Sequence, residues 1–354
     1  MPGGPGALGR LEVTEEAGLR NMTRLIQLRK GSERRVALVE EPHLRLLGEV
    51  TTIYGLADRA LAAGIRLCDA ARQRATPELL EYDPIHGGNS EWRILPAIDQ
   101  PEEPARCLVS GTGLTHLGSA RDRQHMHAST AEPETDSMKM FRWGVEGGRP
   151  KPGTVGVAPE WFYKGGGTSL RAHGEPLDIP PYAEDGGEEA EIAGVYLIGP
   201  DGGPRRIGMA AGNEFSDHRF EKHNYLNLAS SKLRACALGP ELVVDAEFQS
   251  VPGEVTILRG PEVFWSKKIR TGEAEMCHSL GNIEHHHFKY EAHRRPGDVH
   301  VHFLGADCLS FGEGVELANG DVMQVKFDGF GRALMNSLRV DKTSPALVRT
   351  IPLQ

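Results

Sequence analysis

Long apolar runs, paired cysteines and an excess of positive charge are all missing from this 354-residue sequence. No apolar stretch approaches the roughly 18 residues that a membrane-spanning helix requires, and no basic and then apolar leader opens the chain. The five cysteines are an odd number without a Cys-x-x-Cys pair, which is typical of reduced thiols. We therefore expect a cytoplasmic protein that is neither secreted nor inserted in a membrane.

The charge balance limits the choice of partners. Lysine and arginine number 40 against 49 aspartates and glutamates, which gives a formal net charge of −9. An acidic surface repels nucleic acid and anionic membranes, so we expect neither as a partner. If such a protein handles an anionic small molecule, it needs a local cation to bind it.

Glycine and proline, rather than internal repeats, organise the chain. The 43 glycines and 23 prolines follow no period, which favours many turns between short elements. We predict a flexible tail over residues 1–20, a small α+β domain over residues 21–104 and a catalytic domain over residues 105–345. The boundary near residue 104 coincides with a proline-bearing stretch and a change to short β-like runs.

The predicted N-terminal domain shows two kinds of periodicity. Residues 23–28 and 35–39 alternate as strands around a turn at residues 30–32. Residues 56–74 carry apolar side chains at helical spacing. This combination predicts a hairpin followed by a helical segment.

Three glutamates give the strongest chemical signal. Residues i and i+2 of an extended strand point to the same face, so Glu189 and Glu191 converge while Ala190 faces away. Glu214 offers a third carboxylate further along the chain. Three oxygen ligands with open coordination positions suit Mg²⁺ or Mn²⁺ in a catalytic site.

A Glu-x-Glu pair also arises by chance in acidic chains, usually on a solvated strand face. The surrounding sequence favours the metal site. Residues 190–199 are apolar and β-rich, and a Gly-Pro-Asp-Gly-Gly turn follows them. Charged residues that lead into a buried strand need partners. We therefore interpret Glu189, Glu191 and Glu214 as metal ligands.

Further segments resemble the fumarylacetoacetate hydrolase superfamily, in the family's order, across residues 105–345. They are residues 109–116 (Val-Ser-Gly-Thr-Gly-Leu-Thr-His), 160–164 (Glu-Trp-Phe-Tyr-Lys), 187–192 (Gly-Glu-Glu-Ala-Glu-Ile), 212–216 (Gly-Asn-Glu-Phe-Ser), 237–240 (Ala-Leu-Gly-Pro), 296–299 (Pro-Gly-Asp-Val), 319–322 (Asn-Gly-Asp-Val), and Gly331, Leu334 and Asn336. The resemblance implies an α+β, β-rich fold whose catalytic domain is a mixed β-sandwich roll. It also implies a Mg²⁺-type ion, a small-molecule 2-oxo-acid substrate and a homodimer.

The resemblance assigns roles to individual residues. Glu214 stands where the third ligand is usually aspartate. Lys232, just before Leu-Gly-Pro, resembles the family's active-site lysine, although a lone lysine is more often solvated. Lys164 precedes three glycines and is a second catalytic candidate, with a flexible loop as the alternative. Ser119 and Ala306 align with substrate-binding positions of the family.

Departures from the family pattern bear on the reaction. Hydrolases and decarboxylases of the family carry His-x-x-Glu where residues 119–122 (Ser-Ala-Arg-Asp) stand, and residues 304–306 (Leu-Gly-Ala) lack the threonine of the family's Thr-Gly-Thr-Pro loop. Residues 113–120, 278–288 and 299–303 are similar to the AraD1-type branch, which dehydrates 2-keto-3-deoxy sugar acids in non-phosphorylated pentose breakdown. This similarity implies dehydration of 2-keto-3-deoxypentonate to 2,5-dioxopentanoate through a metal-stabilised enolate.

Several histidines and one aspartate have two open interpretations. His116 is either an acid or base near pH 7 or a buried histidine satisfied by hydrogen bonds. Asp122, a catalytic candidate, lies with His125 and His127 in a polar segment that would form a lid in the family or a solvated loop.

The tract at residues 285–287 (His-His-His) suggests zinc, but we predict packing or an interface. Consecutive residues on a strand point to opposite faces and do not converge on one ion.

Two other functions compete with the dehydratase. A C–C hydrolase of a 2,4-diketo acid would use the same metal ligands, but the missing His-x-x-Glu argues against it. A non-catalytic sugar-acid-binding protein would have little use for three carboxylates on an ion with open positions.

Overall fold

Short apolar runs between glycine and proline turns produce a strand-rich chain. The computed structural model describes residues 22–121 and 135–353. Its strands are β1 Thr23–Lys30, β2 Glu33–Glu40, β3 His43–Leu47, β4 Ala75–Glu81, β5 Arg93–Ile94, β6 Cys107–Gly111, β7 Phe162–Gly166, β8 Leu170–Arg171, β9 Leu177–Ile179, β10 Ala190–Ile198, β11 Pro204–Asn213, β12 Cys236–Leu238, β13 Leu242–Val244, β14 Val251–Arg259, β15 Glu262–Thr271, β16 Val299–Phe303, β17 Val322–Phe327 and β18 Leu334–Val340.

Helices are shorter and lie between the strands. The α-helices are α1 Ile53–Ala63, α2 Leu67–Gln73, α3 Tyr82–His86, α4 Asp136–Gly147, α5 His218–His223, α6 Leu228–Lys232 and α7 Leu280–Phe288. The 3₁₀ turns are Pro104–Arg106, Gly167–Ser169, Tyr225–Asn227, Glu291–His293 and Ser310–Glu313. No helix among the described residues is long and apolar enough to cross a bilayer.

The strands of the described residues form two mixed sheets. The larger has 13 strands, with the order β4-β3-β2-β1-β13-β11-β10-β16-β6-β7, and β5, β8 and β12 pair beside this path. The smaller sheet has the order β15-β14-β17-β18-β9. The predicted α+β, β-rich class is confirmed.

Strand β10 lies in the middle of the larger sheet and is buried along its whole length. It pairs antiparallel with both β11 and β16. Its side chains alternate between two hydrophobic cores: Ala193 and Val195 face one, and Ala190 and Ile192 face the other. Because both faces are covered, the strand reads as a continuous apolar run, as the sequence predicts.

The N-terminal elements match the predicted hairpin and helical segment. Strands β1 and β2 pair from Lys30 opposite Glu33, and Gly31 in the turn has a φ of +60°. The helical segment is divided in two because Gly64, at φ +65°, ends α1 in the left-handed conformation. Since β1 also pairs with β13, these strands extend the larger sheet. The division into domains stays a prediction.

Glu241 joins the N-terminal strands to the C-terminal part of the chain. Its buried carboxylate accepts hydrogen bonds from Arg24 Nη1 (3.0 Å), the Tyr82 hydroxyl (2.9 Å) and the Arg332 backbone N–H (3.1 Å). These partners come from β1, α3 and the turn before β18. One side chain therefore holds together segments that are distant in sequence.

We expect Glu241→Ala to lower the free energy of unfolding by about 3 kcal/mol, because it leaves a buried ion pair and hydrogen bonds without their acceptor. Glu241→Gln keeps an acceptor oxygen and should cost less. Urea unfolding monitored by circular dichroism gives the free energy of unfolding of both variants. Equal stability of the alanine variant and the unsubstituted chain would contradict this role.

The histidine tract at residues 285–287 lies in helix α7, so the strand that we predicted for it is wrong. The Ser279 side chain caps the helix by accepting a hydrogen bond from the Asn282 N–H. Helical geometry turns His287 alone of the three into the protein, where its Nε2 lies 2.9 Å from His300 Nδ1 and its ring centroid lies 4.5 Å from that of His302. The predicted packing role is consistent with this placement.

These buried imidazoles predict a pH-dependent stability. Burial lowers the pKa of His300 and of His302 to about 3, whereas a histidine in an unfolded chain has a pKa of about 6.5. Between these values the unfolded chain binds more protons, so the stabilising contribution is present above the unfolded pKa and is lost as the pH falls toward the folded one.

Urea unfolding at about pH 7.5 and about pH 5.5 tests this linkage. We expect His302→Gln to lose less stability on acidification than the unsubstituted chain does. His285→Gln, at an exposed position of helix α7, should retain the full loss. Equal losses in all three proteins would contradict the prediction.

Candidate metal centre

The β10–β11 pairing brings the three predicted glutamates together. Residue Glu191 lies opposite Gly212, and the Glu214 N–H donates to the Glu189 carbonyl (2.9 Å), which extends the antiparallel pairing beyond the two strands. Glu189 and Glu191 share a face because one residue separates them. One carboxylate oxygen from each glutamate lies within 4.8 Å of the other two.

The backbone turns sharply just after Glu214. Phe215 has a φ of +46°, a left-handed conformation that is costly for an aromatic residue and is retained where the surroundings impose it. The next residue, Ser216, pairs with Gly187 across an isolated β-bridge. Its hydroxyl donates to Glu214 Oε2 at 2.9 Å. The turn therefore returns a donor to the carboxylate that precedes it.

Two buried lysines contact these carboxylates. Lys232, in the last turn of α6, donates to Glu189 Oε1 and to Glu214 Oε2. Lys164, on β7, lies 2.5 Å from Glu214 Oε1 and donates to the Phe215 carbonyl at 2.7 Å. Burial lowers the pKa of Lys164, while the charge of Glu214 opposes that effect. The structure thus unites both predicted catalytic lysines with the predicted metal ligands.

Sequence reasoning missed His218. Its Nε2 lies 3.0 Å from Glu189 Oε1 at the start of α5, and the ring is fully buried. Burial lowers the pKa of His218, but the hydrogen bond to Glu189 and its charge outweigh burial and raise the pKa overall. His218 follows residues 212–216 (Gly-Asn-Glu-Phe-Ser) by two positions, so the sequence indicates that it lies close to Glu214. Its inward orientation depends on the fold.

The carboxylate of Glu191 is held by a backbone group. Its Oε2 accepts a hydrogen bond from the Gly305 N–H at 2.7 Å. Burial, and then the negative charges of Glu214 and Glu189, raise the pKa of Glu191 well above its usual value. The three carboxylates therefore repel one another inside the protein, which is the condition that a bound cation relieves.

The donor set fits a divalent ion of the Mg²⁺ type. A metal with oxygen ligands at about 2.1 Å places pairs of those oxygens roughly 3 to 4 Å apart, which the 4.8 Å limit on the three carboxylates accommodates. All the donors are carboxylate oxygens, which favours Mg²⁺ or Mn²⁺ over metals that prefer imidazole or thiolate. The cluster already contacts two ammonium groups, so it binds positive charge.

His116 forms hydrogen bonds with two threonines. Its Nδ1 is 2.8 Å from Thr115 Oγ1 and its Nε2 is 3.1 Å from Thr271 Oγ1. Burial lowers the pKa of His116 to about 4. A role of His116 as an acid or base stays a prediction. The structure favours the other interpretation, a buried histidine satisfied by hydrogen bonds.

Of the remaining predicted residues, Ser119 and Ala306 lie in the described part of the chain and Asp122 does not. Ser119 is buried and donates to the His116 carbonyl at 3.2 Å. Ala306 is buried against Leu309, directly after the Gly305 N–H that binds Glu191. Their roles in substrate binding stay predictions. Asp122, with His125 and His127, lies outside the described residues.

No family model matches the sequence, and no curated protein matches it. Solved structures do match. A 2-keto-3-deoxy-D-arabinonate dehydratase complexed with magnesium and 2,5-dioxopentanoate matches 90% of this chain and 100% of its own, at 18% identity and a TM-score of 0.67. A 2-hydroxyhepta-2,4-diene-1,7-dioate isomerase from Mycobacterium marinum matches 91% of this chain and 100% of its own, at 15% identity and a TM-score of 0.56.

A fumarylacetoacetate hydrolase from Exiguobacterium antarcticum also matches, over 90% of this chain and 100% of its own, at 15% identity and a TM-score of 0.57. At such low identities these likenesses establish the fold and leave the reaction open. The fold expected from the sequence resemblance is thereby confirmed.

We expect the protein to bind one Mn²⁺ and to gain stability as the ion concentration rises above its dissociation constant. Glu191→Gln should weaken Mn²⁺ binding at least about 10-fold, because it removes one charged ligand from the set. Isothermal titration calorimetry measures the affinity. Glu262→Gln, on the exposed edge strand β15, is the matched control and should bind as tightly as the unsubstituted chain. Unchanged binding by Glu191→Gln would contradict the assignment.

Proposed function

We propose, from the fumarylacetoacetate hydrolase fold that this chain has, that the protein is a Mg²⁺-dependent dehydratase of a 2-keto-3-deoxy sugar acid. The reaction would convert 2-keto-3-deoxypentonate to 2,5-dioxopentanoate and water. The observation that carries the proposal is the burial of Lys164 and Lys232 against three carboxylates suited to one divalent ion. The resemblance to the AraD1-type branch, and the likeness to a dehydratase structure, support the choice of reaction.

Glu189, Glu191 and Glu214 would hold the ion. When bound, the ion supplies Lewis-acid polarisation of the 2-oxo-acid group. The chain itself supplies a water-poor surrounding, because the three glutamates and both lysines are buried. In such a surrounding, fixed charges act more strongly than they do in water.

The two lysines would stabilise the negative charge that the reaction creates. Transfer of the C3 proton to a base leaves negative charge on the 2-oxo-acid group. The C4 hydroxyl then takes up a proton from an acid and leaves as water, which removes that charge. The ammonium groups of Lys164 and Lys232 are held in place by Glu214, so they need little reorganisation to face that charge. Loss of water leaves a C3=C4 double bond conjugated to the ketone. A proton shift from C5 to C3 then gives the C5 enol, which tautomerises to the aldehyde.

Hydrolysis of a C–C bond in a 2,4-diketo acid is the alternative. The likeness to a fumarylacetoacetate hydrolase structure favours it. Hydrolysis needs a group that activates water. The sequence lacks His-x-x-Glu at the family position, and both ring nitrogens of His116 are engaged by Thr115 and Thr271. We therefore prefer the dehydratase, acting as a homodimer in the cytoplasm in non-phosphorylated pentose breakdown.

Turnover of D- and L-2-keto-3-deoxypentonate with Mg²⁺ tests the proposal. We expect 2,5-dioxopentanoate from one isomer, and no product after chelation or in Glu191→Gln. Lys232→Met should lower kcat by about 100-fold or more, as expected for loss of a charge that stabilises the transition state. Lys222→Met, at an exposed position of α5, should be neutral. Release of pyruvate from a 2,4-diketo acid, with both pentonates unchanged, would establish the hydrolase instead.

A further inference from the structure

A chain of hydrogen bonds runs from the smaller sheet to the candidate metal ligand Glu191. It begins at Thr271, the last residue of β15, and passes through His116 and Thr115 to the peptide between residues 304 and 305. That peptide donates its N–H to Glu191. Every side chain along the route is buried.

One arrangement of protons satisfies the whole chain. The Leu304 carbonyl accepts only, so the Thr115 hydroxyl must donate to it at 2.9 Å. Thr115 Oγ1 then accepts from His116 Nδ1–H at 2.8 Å. A neutral imidazole protonated at Nδ1 has a free lone pair at Nε2, which accepts from the Thr271 hydroxyl at 3.1 Å. The tautomer of His116 follows from its neighbours.

The last link is a single rigid unit. The carbonyl of Leu304 and the N–H of Gly305 belong to the same peptide group, which is planar. The Thr115 hydroxyl holds its oxygen end, and its N–H lies 2.7 Å from Glu191 Oε2. Fixing one end of this group therefore fixes the direction of the other. Without the Thr115 bond, the peptide is free to rotate its N–H away from the carboxylate.

The surroundings hold both partners of this contact in place. The Thr115 carbonyl accepts from the Cys277 N–H at 2.8 Å, and Leu114 before it has a φ of +53°. Gly305 has a φ of +96°, and a Cβ there would lie 1.9 Å from Thr115 Oγ1. Only glycine allows the hydroxyl to approach this closely.

We propose that Thr115 and His116 are positioning residues that orient Glu191 for metal binding through the Leu304–Gly305 peptide. This inference rests on the proposed metal centre. His116 acts by keeping the Thr115 hydroxyl directed at Leu304, and neither residue contacts the ion or the substrate. Outer partners of metal ligands typically contribute 10- to 100-fold to metal affinity.

Matched variants of the full chain are compared by Mn²⁺ titration, with free and bound Mn²⁺ measured by electron paramagnetic resonance. Thr115→Val keeps the shape of the side chain and removes the hydroxyl, and we expect it to weaken Mn²⁺ binding about 10-fold or more. Thr115→Ser keeps the hydroxyl and should restore binding to within about 3-fold of the unsubstituted chain. A role in packing alone would rank these variants the other way, because valine fills the volume better than serine does.

A second pair keeps the inference testable if Thr115→Val does not fold. His116→Asn retains a donor near the place of Nδ1, whereas His116→Leu removes it. We expect the leucine variant to bind Mn²⁺ more weakly than the asparagine variant, with the two equally folded by circular dichroism. The pH profile of turnover should keep its shape in His116→Asn, since His116 moves no proton in the reaction.

The outcomes separate this inference from the proposed function. Tight Mn²⁺ binding by the unsubstituted chain, with equal affinity in Thr115→Val and His116→Leu, would overturn the positioning role and leave the metal centre standing. Absence of Mn²⁺ binding by the unsubstituted chain would overturn both. Weakening in the valine and leucine variants with recovery in the serine variant would support the inference.

Discussion

Mutual compensation of buried charge is the interaction on which the rest of this structure depends. Three carboxylates are buried at the paired strands β10 and β11, where burial of any one charge alone would cost free energy. Two lysine ammonium groups are buried with them. The hydroxyl of Ser216, the imidazole of His218 and the N–H of Gly305 supply further hydrogen bonds. Such an arrangement is stable only if every group is held in place, because the loss of one partner leaves a buried charge uncompensated.

The buried carboxylates and ammonium groups need partners from several sides, and the site accordingly lies where several strands and helices meet. Glu191 lies on β10, while Glu189 directly precedes β10 and Glu214 directly follows β11. Strand β7 and helix α6 contribute the lysines, and the segment after β16 contributes a backbone donor. Through Thr271 the smaller sheet also reaches the site. Loss of any one of these elements would therefore leave buried polar or charged groups of the site without a partner.

The fold and the chemistry are specified to different degrees. Dehydratase, isomerase and hydrolase structures all match this chain over nine-tenths of its length. A metal centre that binds a 2-oxo acid serves any reaction that begins by withdrawing electrons from the carbonyl group. The reaction is then decided by the groups that surround the C3 and C4 positions of the substrate. For the proposed dehydratase, we expect these groups to include residues 119–122 and 304–306, where the sequence departs from the family pattern.

The sequence by itself determined the carboxylates and the buried strand beside them, because both follow from local rules. Strand alternation places Glu189 and Glu191 on one face, and the apolar run after them can only be a buried element. Our interpretation of the sequence missed the helix at residues 280–288, although the apolar residues that it buries, Leu280, Ile283 and Phe288, have helical spacing. Only the tertiary structure decided the roles of His218, Thr115 and Gly305. Each acts across a long separation in sequence, through the orientation of one side chain or one peptide, and no periodicity encodes such a contact.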